Sequence, residues 1–321
     1  MNRHDRYVVL TGGIGGAKLA LGLSHVVPAD HLTAIVNTGD DFEHFDLPIS
    51  PDIDTLMYTL AGEVDEDTGW GRKQESWRFM DALESLGGET WFRLGDRDVA
   101  THVRRAELLR DGRRLTEATA ELCRRFGVAQ RILPMSDDPV PTRVVTDDGI
   151  LDFQHYFVRD RAQPCVRHIE YHGADRARPS PEVLGALREP GLAGIVIAPS
   201  NPWLSIDPIL AIPAMRAAIR DADVPVVAVS PIVGAAAIKG PTAKIMGELS
   251  LEVSARSVAA HYGDLLDGFI IDDTDRDVAD GISTGDLAVA TCQTVMQSLD
   301  DRIRLAESVL HFLNTVSSKS S

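Results

Sequence analysis

The sequence predicts an α/β chain: a doubly wound, mostly parallel β-sheet carrying a helical insertion and a β-hairpin. Short, continuous β-branched runs separated by helical segments occur near both ends, as strands covered on both faces require. Helical periodicity dominates the middle. Two alternating runs then flank Asp148-Gly149, a dipeptide suited to a hairpin turn.

The elements follow in order. YVVL, Tyr7 to Leu10, is the first strand, and TGGIGGAKLALGLSHVV continues it into a glycine loop and a helix beginning near Ala17. The loop matches neither standard template. In G-x-G-x-x-G, Gly13 and Gly15 fit the first two positions and Lys18 stands at the third; in G-x-x-x-x-G-K-[ST], Lys18 follows Ala17 and precedes Leu19. Gly12, Gly13, Gly15 and Gly16 still let backbone N–H groups approach a phosphate at a helix start, and Lys18 adds a point charge.

LTAIVN is the second strand, followed by NTGDDFEHFDLPISPDIDTLMYTLAG, residues 37 to 62. Asp40 and Asp41 sit at the strand end, and Asp52 and Asp54 flank a helix start preceded by Pro51. Hard oxygen ligands clustered near phosphates are what Mg²⁺ needs, and adjacent carboxylates repel unless a cation joins them. Helix capping by Asp52 or Asp54, and a ribose grip by Asp40, are the alternatives. His44 is a candidate substrate contact.

From about Asp67 to Arg131, three segments close at glycines as helix C-caps do: QESWRFMDALESLG, VATHVRRAELLRDG and TEATAELCRRFG. RLGDRDVATH and PMSDDPVPT supply Asp96, Asp98, Ser136 and Asp137, each a ligand contact or a cap. TRVVTDDGILDFQHYFVRD reads as the hairpin. AGIVIAP, VPVVAVSP, DGFIID and LAVATC are later strands. Ligands of a doubly wound sheet collect beyond the carboxyl ends of its strands, which singles out Ser200 and Asn201 in APSNP, and Ser230, Lys239 and Lys244 in SPIVGAAAIKGPTAKIM. DRIRLAESVLHFLNTV is an amphipathic helix and SSKSS a frayed tail. The expected division is a core of residues 1–62 and 142–321, with an insertion of 63–141.

Composition narrows the partners. The 321 residues are 44% hydrophobic and 25% charged, enough chain for one large domain or two modest ones. A formal charge of −16 argues against a broad nucleic-acid or anionic-membrane surface, which would select clustered Lys and Arg. Cys123, Cys165 and Cys292 lack C-x-x-C spacing and suit a reducing compartment. No stretch of about 18 apolar residues and no signal-peptide apolar region occurs, so a soluble, cytoplasmic protein is expected.

LTGGIGGAKL, NTGDDFEHF, ISPDIDTLMYTLAG, RLGDRDVATH, PMSDDPVPTRV, HYFVR, APSNPWLSIDPIL and SPIVGAAAIKGPTAKIM together resemble, in order and over nearly the whole chain, the motifs of the 2-phospho-L-lactate transferase family, also called CofD or FbiA. The resemblance implies a Rossmann-like core and an enzyme of coenzyme F-420 biosynthesis. Such an enzyme moves a phospho-acid unit (2-phospho-L-lactate, phosphoenolpyruvate or 3-phosphoglycerate) from its guanosine-diphosphate-activated form to the ribityl hydroxyl of the deazaflavin Fo, releasing GMP with Mg²⁺ present. It further implies a homodimer. Asp40, Asp41 and Asp54 then hold the metal, one of them taking the hydroxyl proton, while the glycine loop and Lys18 face the guanosine-side phosphates beside Asp52 and His44. Ser200, Asn201, Ser230 and Lys239 serve the nucleotide, and Asp96 and Ser136 help enclose the deazaflavin. The rival readings are an NAD(P)-dependent oxidoreductase, with Gly13, Gly15 and Asp40 as a degenerate dinucleotide site, and a guanine-nucleotide-binding regulatory protein.

Overall fold

A computed structural model describes residues 5–234, 236–237, 240–283 and 285–316, so Lys239 and the SSKSS tail lie outside the described residues. The first strand, β1 (Arg6–Thr11), alternates Tyr7 and Val9 toward one core and Val8 and Leu10 toward another. A strand buried on both faces is the pattern its apolar run predicts. β2 (Leu32–Val36) pairs with it in parallel on one side. Short strands β3 (Phe42–His44) and β4 (Leu47–Ile49) follow as a hairpin.

The insertion comprises α3 (Arg78–Ser85), α4 (Asp96–Arg110) and α5 (Leu115–Phe126), after α1 (Gly13–Val26) and α2 (Pro51–Leu60) in the core. Gly87, Gly112 and Gly127 all have positive φ just past α3, α4 and α5, as the helix ends predict. Met80 and Leu94 of the insertion pack with Ile49 of the hairpin as a small core of their own. β5 (Arg131–Pro134), where the helical span ends and still within the expected insertion of residues 63–141, pairs in parallel with β2 and forms one edge of the main sheet. Four residues ending in proline carry little strand signal; burial against β2 decides their conformation.

β6 (Thr142–Thr146) and β7 (Gly149–Asp152) form the expected hairpin, with Thr146 opposite Gly149, and β8 (Val166–Tyr171) completes a three-stranded antiparallel sheet. The remainder of the second alternating run does not continue as strand. His155–Arg159 is a π-helical turn, because Phe153 and Tyr156, three residues apart, both enter the core. The chain returns to the main sheet with β9 (Leu192–Ile197) and β10 (Val226–Val229), followed by parallel strands Gly268–Asp272 and Ala288–Cys292.

Among the described residues the main sheet therefore has seven strands, all parallel, in the order β5, β2, β1, β9, β10, Gly268–Asp272 and Ala288–Cys292. The chain winds outward from β1 in one direction and later from β9 in the other, which opens a crevice beyond their carboxyl ends. On one face, α1 packs against the C-terminal helix Leu299–Leu313 so closely that a Cβ at Gly22 would lie 2.1 Å from the Arg302 carbonyl oxygen. Among the described residues no helix is long and apolar enough to cross a membrane.

Candidate active site

A cavity of about 510 Å³ opens at the crevice. Its polar end is lined by Gly12, Gly13, Gly15, Lys18, Asp40, Asp52, Ser200, Asn201 and Ser205. Ile49, Tyr58, Trp70, Phe92, Leu94, Phe153 and Phe157 supply apolar surface elsewhere in its wall. Gly12 and the start of α1 after β1, Asp40 after β2, Asp52 at the start of α2 and the segment after β9 carry the polar set; the rest of α2, the insertion and the His155–Arg159 turn carry most of the apolar set.

The glycine loop is shaped as much by its protein neighbours as by any ligand. α1 begins at Gly13, four residues earlier than expected, with Gly12 extended at the N-cap and Gly13 left-handed at φ 66°. Gly13 N–H donates to Asp52 Oδ1 at 2.7 Å, while Gly12 exchanges hydrogen bonds with the Ser200 hydroxyl. Side chains at these positions would collide with fixed groups: a Cβ at Gly12 would lie 2.5 Å from Asp52 Oδ2, and one at Gly15 would lie 2.6 Å from the Pro199 carbonyl oxygen. Ile14 and Gly15, next in the first turn, line the cavity. Lys18 lines it too, and its ammonium donates to the Met296 carbonyl at 3.1 Å.

The acids divide into two groups. Asp40 and Asp52 converge on Asn37, whose Nδ2 donates to Asp40 Oδ1 at 3.0 Å and to Asp52 Oδ2 at 2.9 Å. Burial, then the charge of Asp52, pushes the Asp40 carboxyl well above its usual range, and burial raises Asp52 to about 6 despite its hydrogen bonds from Asn37 and Gly13. Asp41 accepts from the Ser50 hydroxyl at 2.7 Å, and burial raises it as well. Asp54 turns the other way, its Oδ1 bound by the fully buried Arg105 of α4. The expected trio of Asp40, Asp41 and Asp54 is thus split, and among the described residues no three His, Cys, Asp or Glu side chains are grouped to hold a metal. The guanidinium of Arg105 and the hydroxyl of Ser50 draw two members aside.

Arg105 belongs to a network that sequence reasoning missed. Its Nη1 lies 3.1 Å from His102 Nδ1 and donates to the Pro48 carbonyl at 3.3 Å; His102 Nε2 lies 3.4 Å from Asp98 Oδ1, and Asp98 accepts from the Tyr58 hydroxyl at 2.7 Å. A signal was present: Asp98, His102 and Arg105 stand at i, i+4 and i+7 on α4, one face of a helix. Asp98, His102, Asp54 and Tyr58 all line the cavity.

Several expected contacts lie elsewhere. Asp96 is half-buried at the start of α4, where it accepts from the Ser76 hydroxyl and, at 3.0 Å, from Phe79 N–H, tying α4 to α3. Ser136 is buried and donates to the Arg178 carbonyl at 2.6 Å, while Ser230 closes a turn on Ile232. None of the three lines the cavity. His44 stacks within an aromatic cluster with Phe42, Phe45, Trp91 and Phe92, its Nε2 3.2 Å from the Phe92 carbonyl; burial lowers its pKa, and it packs the wall behind Phe92. Asn201 does line the cavity. Its Oδ1 caps a second π-helical turn, Pro202–Ile206, and its Nδ2 donates to Thr242.

The family model described as 2-phospho-L-lactate transferase CofD matches residues 7–299. A phosphoenolpyruvate transferase from Streptomyces coelicolor is 42% identical over 311 residues, covering 95% of this chain and 97% of the relative. A 2-phospho-L-lactate transferase from Methanosarcina mazei is 39% identical over 305 residues, covering 94% and 99%. In shape alone, a crystal structure of a UPF0052 family member from Bacillus halodurans aligns with a TM-score of 0.61 at 16% identity, covering 95% of this chain and 98% of that one.

Proposed function

Because the chain belongs to the 2-phospho-L-lactate transferase (CofD) family, whose named relatives are transferases, we propose that it transfers a phospho-acid unit from a guanosine-diphosphate-activated donor to the ribityl hydroxyl of the deazaflavin Fo, releasing GMP, in coenzyme F-420 biosynthesis. The observation that carries this reading is the cavity: one chamber combines a helix N-terminus and acids, suited to a diphosphate and its counter-ion, with aromatic walls suited to a flat ring system. Phosphoenolpyruvate is the proposed acid, after the name of the Streptomyces relative. A dinucleotide reading fits less well, because Asp40, the acid that would grip the ribose, is buried against Asp52 with its Oδ1 already bound by the Asn37 amide.

The residues fit a hard divalent cation. Asp41 Oδ1 and Asp54 Oδ2 are buried without a hydrogen-bond partner, and Asp40 and Asp52 crowd together with both carboxyls raised. Asp40 and Asp52 would hold Mg²⁺ together with phosphoryl oxygens of the donor, whose charge the cation would neutralise. The protein's own groups account for the rest. Ile14 and Gly15 N–H and Lys18 would bind the guanosine-side phosphate, and Ser200 and Asn201 would border the nucleotide. Phe92, Phe153 and Phe157 would flank the acceptor ring and exclude water. As the ribityl oxygen bonds to the acid-side phosphorus and the bond to GMP breaks, Asp54 Oδ2 would take the hydroxyl proton, with Arg105 fixing the other oxygen.

The test is incubation with Fo, Mg²⁺ and each of the three guanosine-activated acids in parallel. GMP and a more anionic fluorescent product should form, fastest with activated phosphoenolpyruvate. No product with any of the three, together with tight NAD(P) binding, would sink the transferase reading.

A further inference from the structure

Asn37 is fully buried directly after β2, and three separate segments meet on its side chain. Oδ1 accepts from Gly39 N–H at 2.7 Å, which fixes the amide so that Nδ2 must face the acids. Nδ2 then reaches Asp40 Oδ1 in its own loop, Asp52 Oδ2 in α2, and the Leu204 carbonyl, at 3.2 Å, in the turn after β9. Glycine at 39 is part of the arrangement, since a Cβ there would lie 2.5 Å from Thr142 Oγ1 and 3.0 Å from Asn37 Oδ1. The remaining oxygen of Asp52 is held by Gly13 N–H, whereas the Asp40 carboxylate accepts only the Asn37 bond among the described residues, the Gln154 amide donating instead to the Asp40 backbone carbonyl; both acids line the cavity.

One neutral donor thus spans two like-charged groups from different elements. For stability alone, apolar side chains would serve this buried position as well as two acids and an amide. We infer that Asn37 is a positioning residue of the transfer site: its amide sets the spacing of Asp40 and Asp52 so that the two carboxylates form one seat for a divalent cation. The inference rests on the metal reading of the proposed function and adds to it the group that pre-organises the seat. Asparagine suits this role because it bridges both carboxylates without contributing a third charge.

The test measures cation binding apart from turnover, by electron paramagnetic resonance titration of Mn²⁺ into the protein with GDP present. Asn37→Ser keeps a single donor and Asn37→Ala keeps none. A charge-assisted hydrogen bond lost from the seat should weaken Mn²⁺ binding by about tenfold or more in the Ser variant and further in the Ala variant. Asn37→Asp preserves shape and the Gly39 contact, so it tests positioning even where the smaller variants fail to fold. Its kcat should fall by about tenfold or more at saturating Mg²⁺, with the donor KM within about twofold of wild type. Unchanged Mn²⁺ affinity in folded Ser and Ala variants, or a wild-type kcat in the Asp variant, overturns the role of Asn37 alone. Failure of the wild type to bind Mn²⁺ in the presence of GDP overturns the metal reading and this inference with it.

Discussion

Removing the Arg105 guanidinium should cost far more than removing a surface charge, and removing its partner as well should recover much of the loss. Arg105 has no exposed surface and Asp54 is 4% exposed. Burial works against the charge on Arg105, and the Asp54 carboxylate, with smaller help from Tyr58 and Asp41, keeps it charged. Arg105→Met keeps an apolar stem in place but strands Asp54 as a buried, uncompensated charge. Breaking a buried pair from one side costs about 3–5 kcal/mol, which for a domain of this size is a fall in melting temperature on the order of 10 °C. Asp54→Asn in the Arg105→Met background removes the stranded charge and should return about 2 kcal/mol or more. Urea unfolding of wild type, both single variants and the double variant, followed by circular dichroism, completes the cycle. A cost below about 1 kcal/mol for Arg105→Met, or a double variant no more stable than that single one, would refute the reasoning.

Three further predictions follow from local geometry. Gly22→Ala should destabilise by about 1–3 kcal/mol, because its Cβ meets the Arg302 carbonyl across a tight helix contact, whereas Gly185→Ala, with open space around it in the helix Pro181–Leu187, should stabilise by about 0.5–1 kcal/mol; thermal melts of the pair would show whether the signs differ. Asp96→Ala should leave turnover unchanged while loosening the contact between α3 and α4, and a large loss of kcat would return Asp96 to the site. The Glu182 carboxyl, held down to about 2 by hydrogen bonds from Arg114, lends stability that is full above its ordinary value of 4.5 and is lost as pH falls through 2. Carbon-detected NMR titration of Arg114→Ala should show Glu182 returning toward 4.5, and an unmoved midpoint would contradict that cause.

Much of the sheet was legible because strands buried on both faces need unbroken apolar runs, and YVVL, LTAIVN and AGIVIAP are such runs. The helices of the insertion were legible for a different reason: glycine can take the left-handed conformation that ends a helix at little cost, and Gly87, Gly112 and Gly127 stand where it is taken. β5 escaped notice because a four-residue edge strand owes its conformation to its neighbour. The π-helical turn at His155 was hidden by a run whose alternation continued on paper while its side chains entered the core at a spacing of three.

The site divides along similar lines. Motif order singled out the ends of β1, β2 and β9, which meet at the cavity because the direction of a parallel sheet sends every such loop to the same edge. Composition and spacing also identified the acids that gather there. Their pairing is another matter. Asp54 is two residues from Asp52 in sequence, yet it answers to Arg105 on a helix 51 positions away, and Asp52 answers to Asn37 and Gly13. Which carboxylate is compensated and which is left crowded depends on donors brought in by distant segments, and a buried charge is governed by the few groups within hydrogen-bond reach of it. Local patterns fix the direction in which a chain runs and the surface it must bury; the partners of its buried polar atoms are set only when the layers close.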